Sequence, residues 1–302
     1  MGINRSSVKV LIRESPQFPP EFSVLTLGVP KIYTSYEETV TYFNEYGIKY
    51  CEIPALERKK ADDLFWNSNL QERQYIHPET FFKILGAKQY SALDVFDFEG
   101  ASIIHDLNQP IPKEYYNSFD VIIDCGTTSH VPNTLSVFEN VTNMLKINGI
   151  IIHILGIAGF VNHGFYQISP LTFYEYYGSN GFTDLKSYIF RLKKYDPRGT
   201  AKCFEYKYCP GPLLLENITS CAFIFFMAKK VEEHAQKTIP IQGRYLKKQS
   251  ESTGKSSNPP ALVSGNIVKR WVRVLKSEYK LFMLLYFLYR RFIKERIRYY
   301  KL

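Results

Sequence analysis

Two apolar runs flank an amphipathic segment in the middle of the chain. Phe119–Asp124 and Ile150–Leu155 are short and rich in β-branched residues, which predicts two buried strands. Between them, apolar residues recur on one helical face, at Leu135, Phe138, Val141 and Leu145. Asn133 can cap this helix, and Asn148-Gly149 would end it. The pattern predicts a β-loop-α-β unit whose first loop lies where parallel sheets place ligands.

The rest of the chain alternates in the same way. Strands are predicted at 22–27, 92–96, 102–105, 184–195 and 220–229, and helices at 35–45, 78–86 and 171–179. Residues 47–89 are interpreted as an insertion, helical in part, and a helix before the second strand. Residues 196–218 are predicted to form a long aromatic loop. Alternating strands and helices indicate an α/β fold with a Rossmann-like, doubly wound, mostly parallel sheet.

The pattern divides the chain into four parts. Residues 1–20 contain three prolines and are predicted to be an irregular lead-in. Residues 21–247 form the Rossmann-like domain, which is long enough to bury a sizeable core. Residues 248–263 are polar and rich in Ser, Pro and Gly, which is typical of a flexible linker. Residues 264–302 form a tail, predicted to be one helix from Asn266 onwards.

Net charge separates the tail from the domain. The formal charge of the chain is +9, and residues 264–302 alone hold 11 Lys and Arg against 2 Glu. The other 263 residues hold 27 basic and 27 acidic residues. The domain therefore lacks the basic footprint of a nucleic-acid-binding protein, and a nucleic-acid partner is disfavoured.

The tail combines a stripe of cations with apolar residues. Lys and Arg recur at helical spacing, at positions 269, 273, 276, 280, 291, 294, 298 and 301. The apolar stretch Leu281–Tyr289 would span roughly 13 Å as a helix, less than half of a bilayer core. This composition favours a basic amphipathic helix lying on an anionic membrane surface. Packing on its own domain or in a homo-oligomer is the second interpretation, and a basic arm for nucleic acid is the third.

The number and spacing of the cysteines indicate the redox compartment and whether a zinc site is present. The five cysteines are odd in number and form no CxxC pair, which indicates a reducing compartment and no zinc site. No cluster of ligand residues requires another metal, so no metal is predicted. The first residues lack the apolar core of a signal peptide. We therefore expect a cytoplasmic protein, held peripherally at the inner face of the membrane by its tail.

Acidic residues follow two of the predicted strands. Asp94 lies near the end of the second strand and Asp97 just past it, where a carboxylate can accept hydrogen bonds from ribose hydroxyls. Asp106 follows the third strand and could accept from an adenine amino group. The loop Asp124–His130 would close over such a ligand. Each residue alone is more often an ordinary loop or capping residue, but together they predict a cofactor with an adenosine part.

Five segments carry a resemblance to a known family: VLTLG at 24–28, LDVFDFEGASIIHDLNQPIP at 93–112, FDVIIDCGTTSHVPN at 119–133, LKINGIIIHI at 145–154 and NHGFYQISPLTFYEYY at 162–177. Over roughly residues 20–230 the chain resembles the class I S-adenosylmethionine (SAM)-dependent methyltransferases. It resembles in particular a bacterial group of methyltransferase-domain proteins associated with surface-polysaccharide biosynthesis. The resemblance implies a seven-stranded sheet with its last strand antiparallel, and SAM at the ends of strands one, two and four.

The resemblance also implies a set of cofactor contacts at the matching positions. These are Gly28, Val29, Asp94, Asp97, Asp106, Leu107, Asp124, Gly126 and Thr127. One motif departs from the family pattern, because the loop after the first strand reads Gly28-Val29-Pro30-Lys31 instead of a Gly-rich sequence. Glycines there allow the backbone to approach the cofactor closely, whereas Val29 and Pro30 fill and stiffen that space. SAM is thus the predicted cofactor, bound by a degenerate Gly-rich motif.

Histidines supply the candidate chemistry. Methyl transfer to a hydroxyl needs an aligned acceptor and a base, and a histidine titrates near neutrality. His163, beside Tyr166 in the loop after the fifth strand, is the first candidate, and His130 is the next. Hydrogen bonding within the loop is an equal alternative for His163 and Tyr166, and a structural or cofactor-adjacent role is favoured for His130. His105 and His153 lie at strand ends and are predicted to be satisfied core or rim histidines.

These patterns favour an enzyme, a SAM-dependent methyltransferase that O-methylates a sugar hydroxyl in a lipid-linked or surface glycan at the cytoplasmic membrane face. The acceptor would be a glycan or another small hydroxyl compound. The first alternative is a non-catalytic methyltransferase-fold scaffold that the tail docks to a membrane assembly. A nucleic-acid methyltransferase is the third hypothesis.

Overall fold

A computed structural model describes residues 2–59, 75–97, 99–192, 196, 199, 201–208, 221–233, 238–246 and 299–300 of the chain. The strands in these ranges are β1 Gly2–Ile3, β2 Ser23–Leu27, β3 Lys31–Ile32, β4 Gln89–Asp94, β5 Ile103–Ile104, β6 Phe119–Asp124, β7 Leu145–Ala158, β8 Phe182–Arg191, β9 Lys202–Tyr206, β10 Ala222–Lys230 and β11 Tyr299–Tyr300. The helices are α1 Arg5–Glu14, α2 Tyr36–Tyr46, α3 Pro78–Ile84, α4 Thr134–Met144 and α5 Pro170–Gly178.

The main sheet confirms the predicted α/β class. Its strand order is β11-β9-β8-β10-β7-β6-β2-β4-β5. Five adjacent strands run parallel to one another, in the order β5, β4, β2, β6 and β7. β10 is antiparallel to both β7 and β8. The described part of this sheet has nine strands instead of the predicted seven, because β9 and β11 extend it beyond β8. β9 lies inside 196–218, which we had predicted to be a loop, and its pairing with β8 makes it a strand.

Apolar side chains cover both faces of the sheet, as the continuous apolar runs predict. In β6, Val121 and Ile123 belong to one core cluster, and Ile122 belongs to the other. The first cluster also contains the buried residues of α1, α2 and α3, and the second contains those of α4 and α5. The molecule therefore has three layers, with helices on both faces of the sheet.

The N-terminal segment is ordered, and the prediction of an irregular lead-in over 1–20 is wrong. The Asn4 side chain caps α1 by accepting a hydrogen bond from the Ser7 backbone N–H at 3.0 Å. Val8, Leu11 and Ile12 lie on one face of this helix and are fully buried. Their spacing was a helix signal in the sequence, and the prolines that suggested an irregular segment follow the end of the helix.

Two predicted helix starts are confirmed, and one helix end is corrected. Ser35 and Glu38 form a capping box at the start of α2, and the Asn133 side chain caps α4. α4 ends at Met144, not at Asn148, because Leu145 already has extended backbone and pairs with Phe119. Within the predicted insertion the structure describes one 3-10 turn, Ala55–Glu57, and residues 60–74 lie outside the described residues.

At its C-terminus the chain departs from the predicted single helix, since Tyr299–Tyr300 is a strand that pairs with β9. The linker 248–263 and the rest of the tail lie outside the described residues. None of the helices in the described ranges is long and apolar enough to cross a membrane.

Candidate functional site

The carboxyl ends of β2, β4 and β6 meet at one edge of the sheet. Leu27, the last residue of β2, pairs with Leu93 on one side and with Asp124 on the other. The chain leaves β2 towards β4 and later returns to the opposite side of β2 with β6. This reversal of strand order opens the crevice in which doubly wound sheets bind ligands.

The loops after β4 and β5 present carboxylates to solvent. Asp94 is partly exposed, and its Oδ1 accepts a hydrogen bond from the Phe96 backbone N–H at 3.3 Å. Asp97 and Asp106 are exposed. Asp106 Oδ1 accepts from the backbone and side-chain nitrogens of Asn108, and these bonds lower the pKa of Asp106. All three predicted ribose and adenine contacts therefore lie at the predicted edge of the sheet.

Apolar side chains accompany these carboxylates. Val95, Phe96 and Ile104 are 46%, 59% and 53% exposed, so this part of the sheet edge presents apolar side chains to solvent. Leu107, in contrast, is 4% exposed and packs in the core, so its side chain does not face this surface. Apolar surface beside carboxylates matches what an adenosine offers, a flat ring and a pair of hydroxyls.

The loop after β2 is bonded to the end of β4 and leads directly into another strand. Gly28 has φ +75° and donates its N–H to the Leu93 carbonyl oxygen at 2.7 Å. Val29 is partly exposed and Pro30 is buried. Lys31–Ile32 then forms β3, which pairs with β1 at the N-terminus. The first ligand-facing loop thus leads directly into a strand that pairs with an N-terminal strand, and sequence reasoning missed both.

The loop after β6 is organised by a buried carboxylate. Asp124 is fully buried, and its Oδ1 accepts from the backbone N–H groups of Gly126 and Thr128 at 3.1 and 3.3 Å. Its Oδ2 accepts from the Thr128 hydroxyl. Thr127 reaches across the crevice, donating its hydroxyl to the Leu27 carbonyl oxygen at 2.7 Å. Asp124 therefore holds the loop from within; Gly126 is buried, and Thr127 is partly exposed.

A histidine and a tyrosine complete the burial of this carboxylate. His153 Nδ1 lies 2.8 Å from Asp124 Oδ2, and His153 Nε2 lies 2.6 Å from the Tyr177 hydroxyl. Both rings are fully buried. Burial raises the pKa of Tyr177, so its phenol keeps its proton. With Nδ1 donating to Asp124 and Nε2 accepting from Tyr177, both ring nitrogens of His153 have partners, as predicted for a core histidine.

The loop after β7 docks on the loop after β6. The Ser129 carbonyl oxygen accepts from the backbone N–H groups of Phe165 and Tyr166 at 2.7 and 3.2 Å. Gly164 has φ +94°, and a Cβ atom there would lie 2.6 Å from that same oxygen. The Tyr166 hydroxyl donates to the Pro132 carbonyl oxygen at 2.9 Å. A side chain at position 164 would prevent this docking.

Docking brings the three predicted catalytic residues together. The His130 and His163 rings lie 5.2 Å apart, edge to face, and both side chains are solvent-accessible. Partial burial, and secondarily the neighbouring His163, lower the pKa of His130. Its imidazole is therefore neutral at pH 7 and able to accept a proton. Tyr166, which is 45% exposed, borders the pair.

Sequence reasoning missed the residues that support this arrangement, Ser129, Gly164 and Tyr177. One sequence signal was available: residues 125–138 and 147–174 contain no Lys, Arg, Asp or Glu. Such long uncharged stretches indicate loops that pack on each other or on a neutral ligand. Within the described ranges, no group of three or more His, Cys, Asp or Glu side chains could hold a metal ion.

Comparisons with known proteins find likeness in structure but not in sequence. No family model matches the chain, and no curated protein matches it. A SAM-dependent methyltransferase from Archaeoglobus fulgidus superimposes with a TM-score of 0.36 and 15% identity, over 75% of this chain and 94% of that one. One from Thermotoga maritima gives 0.35 and 15%, over 76% and 91%. TehB from Haemophilus influenzae gives 0.35 and 12%, over 73% and 61%. Likenesses this weak say nothing about activity or ligands.

Proposed function

We propose that this protein is a SAM-dependent methyltransferase that transfers a methyl group to a hydroxyl of an uncharged sugar. The observation that carries the proposal is the edge of the sheet itself. There an acidic and apolar surface suited to adenosine adjoins a charge-free surface that presents two neighbouring histidines. The finer assignment, a lipid-linked or surface glycan at the cytoplasmic face of a membrane, rests on the resemblance and on the composition of the tail.

The residues after β4 and β5 fit the adenosine part of SAM. Asp94, and next Asp97, would accept hydrogen bonds from the ribose hydroxyls, and Phe96 and Ile104 offer apolar surface to the adenine ring. Residues 89–112 contain four carboxylates and no Lys or Arg. This negative surface would also attract the sulfonium cation, because opposite charges interact strongly near a low-dielectric protein.

The residues after β2 fit the methionine part less closely than a Gly-rich loop would. Gly28 already uses its N–H on Leu93, and Pro30 has none. Thr127, partly exposed in the loop after β6 and bonded to the Leu27 carbonyl oxygen, would approach the cofactor from the opposite wall of the crevice, and Gly126 is buried behind it. Asp124 is saturated by internal partners, so we assign it to shaping this wall instead of contacting the cofactor.

The charge-free loops after β6 and β7 would hold the acceptor. Phe165 and Val161 are 66% and 83% exposed, and Asn162 and Gln167 supply uncharged hydrogen-bonding groups beside them. Exposed aromatic rings with neutral polar neighbours suit a sugar, which has apolar ring faces and hydroxyl edges. An anionic acceptor would find no Lys or Arg in these two loops.

Bound SAM would supply an electrophilic methyl group on a sulfonium. The chain's part is to align the acceptor hydroxyl with that methyl group and to take its proton. His163 is the first candidate for this base because it lies on the acceptor loop, and His130 is the second. The imidazole would accept the hydroxyl proton while the acceptor oxygen takes the methyl group, and the sulfonium would leave as a neutral thioether.

Titration calorimetry with SAM, and separately with its demethylated product, tests the cofactor assignment on the full-length chain. We expect micromolar affinity that Asp94→Ala weakens at least about tenfold, a loss of roughly 1.4 kcal/mol. Asp184→Ala, a carboxylate at the opposite edge of the sheet, is the matched control and should leave affinity unchanged. An absence of binding at millimolar cofactor would favour the scaffold hypothesis.

Vesicle flotation tests the membrane assignment. The full-length chain should float with anionic vesicles and stay in solution with neutral ones, and a variant lacking residues 264–302 should stay in solution with both. Binding to RNA with a steep salt dependence, lost in the same deletion variant, would favour the nucleic-acid hypothesis.

A further inference from the structure

The buried network at the end of β6 has a geometry that the proposed reaction does not use directly. Asp124 receives four hydrogen bonds, two from backbone N–H groups of the loop, one from Thr128 and one from His153. Three of these bonds define the path of the loop. The fourth comes from the neighbouring strand β7 and fixes the carboxylate itself.

The network extends from Asp124 through His153 to α5. His153 is held on its far side by the Tyr177 hydroxyl, which comes from α5. α5 follows the acceptor loop in the chain, and Ser169, the cap of α5, is the last residue of that loop. The network therefore joins α5, β7, β6 and the loop that carries His130 through hydrogen bonds between buried atoms.

We propose that His153 and Tyr177 are positioning residues, which orient Asp124 so that it holds the loop 125–130 and, with it, His130 and the Thr127 bridge to β2. The proposal rests on the proposed function for its catalytic meaning. Its structural claim is that a hydrogen bond from position 153 orders the loop. This claim can be tested whether or not the protein transfers methyl groups.

The rival explanation is that His153 only fills space. Its ring packs against aromatic rings, with centroids 4.8 Å from Phe173 and 5.7 Å from Phe138. A packing residue and a positioning residue respond differently to amide substitutions. His153→Asn places a nitrogen close to the position of Nδ1 and can keep the bond to Asp124. His153→Gln places its nitrogen near Nε2, so it faces Tyr177 and loses Asp124, although glutamine matches the volume of histidine better.

Hydrogen exchange on the full-length chain separates the two explanations. The loop 125–132 is followed by mass spectrometry, with α4 as the internal reference. We expect exchange in the loop to be at least about tenfold faster in His153→Gln, because a buried acceptor bond is lost, and to stay within about threefold of wild type in His153→Asn. Equal exchange in the two variants, or faster exchange in His153→Asn, overturns the proposal.

Another variant tests the proposal even if both amide variants fail to fold. Thr128→Val keeps the shape of a buried side chain and removes its hydroxyl from Asp124. Exchange in the loop should again quicken about tenfold while α4 stays protected, and unchanged exchange overturns the proposal.

Activity then connects the network to the reaction. In a methyl-transfer assay His153→Gln should lower kcat, and His153→Asn should restore most of kcat. If exchange responds as expected but no acceptor is ever methylated, the proposed function fails and the structural assignment stands. If transfer is detected and both variants retain full kcat, only the positioning role fails.

Discussion

The loops after β4 and β5 present exposed carboxylates and exposed apolar side chains, whereas the loops after β6 and β7 carry no formal charge and lock onto each other. The first pair is held mainly by short-range turns, such as the Asp106–Asn108 bonds. The second pair is held by the buried Asp124 and by the Ser129 carbonyl oxygen, which link residues far apart in sequence. Under the proposed function this difference is a division of work, in which one side of the crevice would offer surface to a ligand and the other would fix the geometry of the reacting groups.

Removing the base should give the largest effect. His163→Ala is expected to lower kcat for methyl transfer by about 10²- to 10⁴-fold, the range for loss of general base catalysis, with SAM affinity unchanged. His105→Ala, on the ligand side of the crevice, is the control and should leave kcat within about twofold. Full activity of His163→Ala would show that His163 is not the base and would leave His130 as the candidate.

The pH profile distinguishes the two histidines. A base works when it is neutral, so activity is lost as the pH falls through its pKa. Because partial burial and His163 lower the pKa of His130, a rate controlled by His130 should lose activity only below pH 6.5, its ordinary value. In His163→Ala the pKa of His130 should rise, as the neighbouring imidazole is gone. NMR titration of the imidazole protons measures this shift, and an unchanged pKa would contradict the pairing.

Asp124→Leu should destabilise the fold strongly. The substitution leaves His153, Thr128 and two loop N–H groups buried without their acceptor, and we expect the free energy of unfolding to fall by about 3–5 kcal/mol. Asp97→Leu, at an exposed position on the other side of the crevice, should change it by less than about 0.5 kcal/mol. Urea unfolding measures the unfolding free energy of both variants. Similar losses would contradict the claim that buried contacts hold one side of the crevice and local turns the other.

Gly164→Ala tests the docking of the two charge-free loops. The alanine must adopt φ near +94° and place its Cβ against the Ser129 carbonyl oxygen. The expected cost is about 1–3 kcal/mol of unfolding free energy, together with a lower kcat. Gly47→Ala is a matched control, because Gly47 also has positive φ but no atom within 4 Å of an added Cβ. Equal costs for the two variants would show that docking contributes nothing.

The smallest effect is expected on the ligand side. Phe96→Ala should weaken SAM binding by about fivefold, roughly 1 kcal/mol, through loss of apolar contact with the adenine ring. The unfolding free energy should stay within about 0.5 kcal/mol, since the side chain is 59% exposed. Unchanged affinity would mean that the adenine ring lies elsewhere.

Local patterns decided how much of the fold could be predicted. The capping box at Ser35 and the apolar run Phe119–Asp124 are signals within a few residues, and both are confirmed. The helix at the N-terminus had the same kind of signal in Asn4 and Val8, but nearby prolines obscured it. β9 had no such signal, because a strand of five residues is stabilised mainly by the strands that it pairs with.

By itself, the sequence determined the class of the fold, the loops that follow the carboxyl ends of its parallel strands, and the histidines that lie in those loops. These follow from apolar periodicity and from the order of strands and loops, which are properties of short segments. Only the tertiary structure decided that His130 meets His163, that Asp124 is buried among internal partners and that Tyr177 supports it. Such contacts join residues 24–33 positions apart, and chain pattern cannot specify them because they depend on how loops from different strands pack.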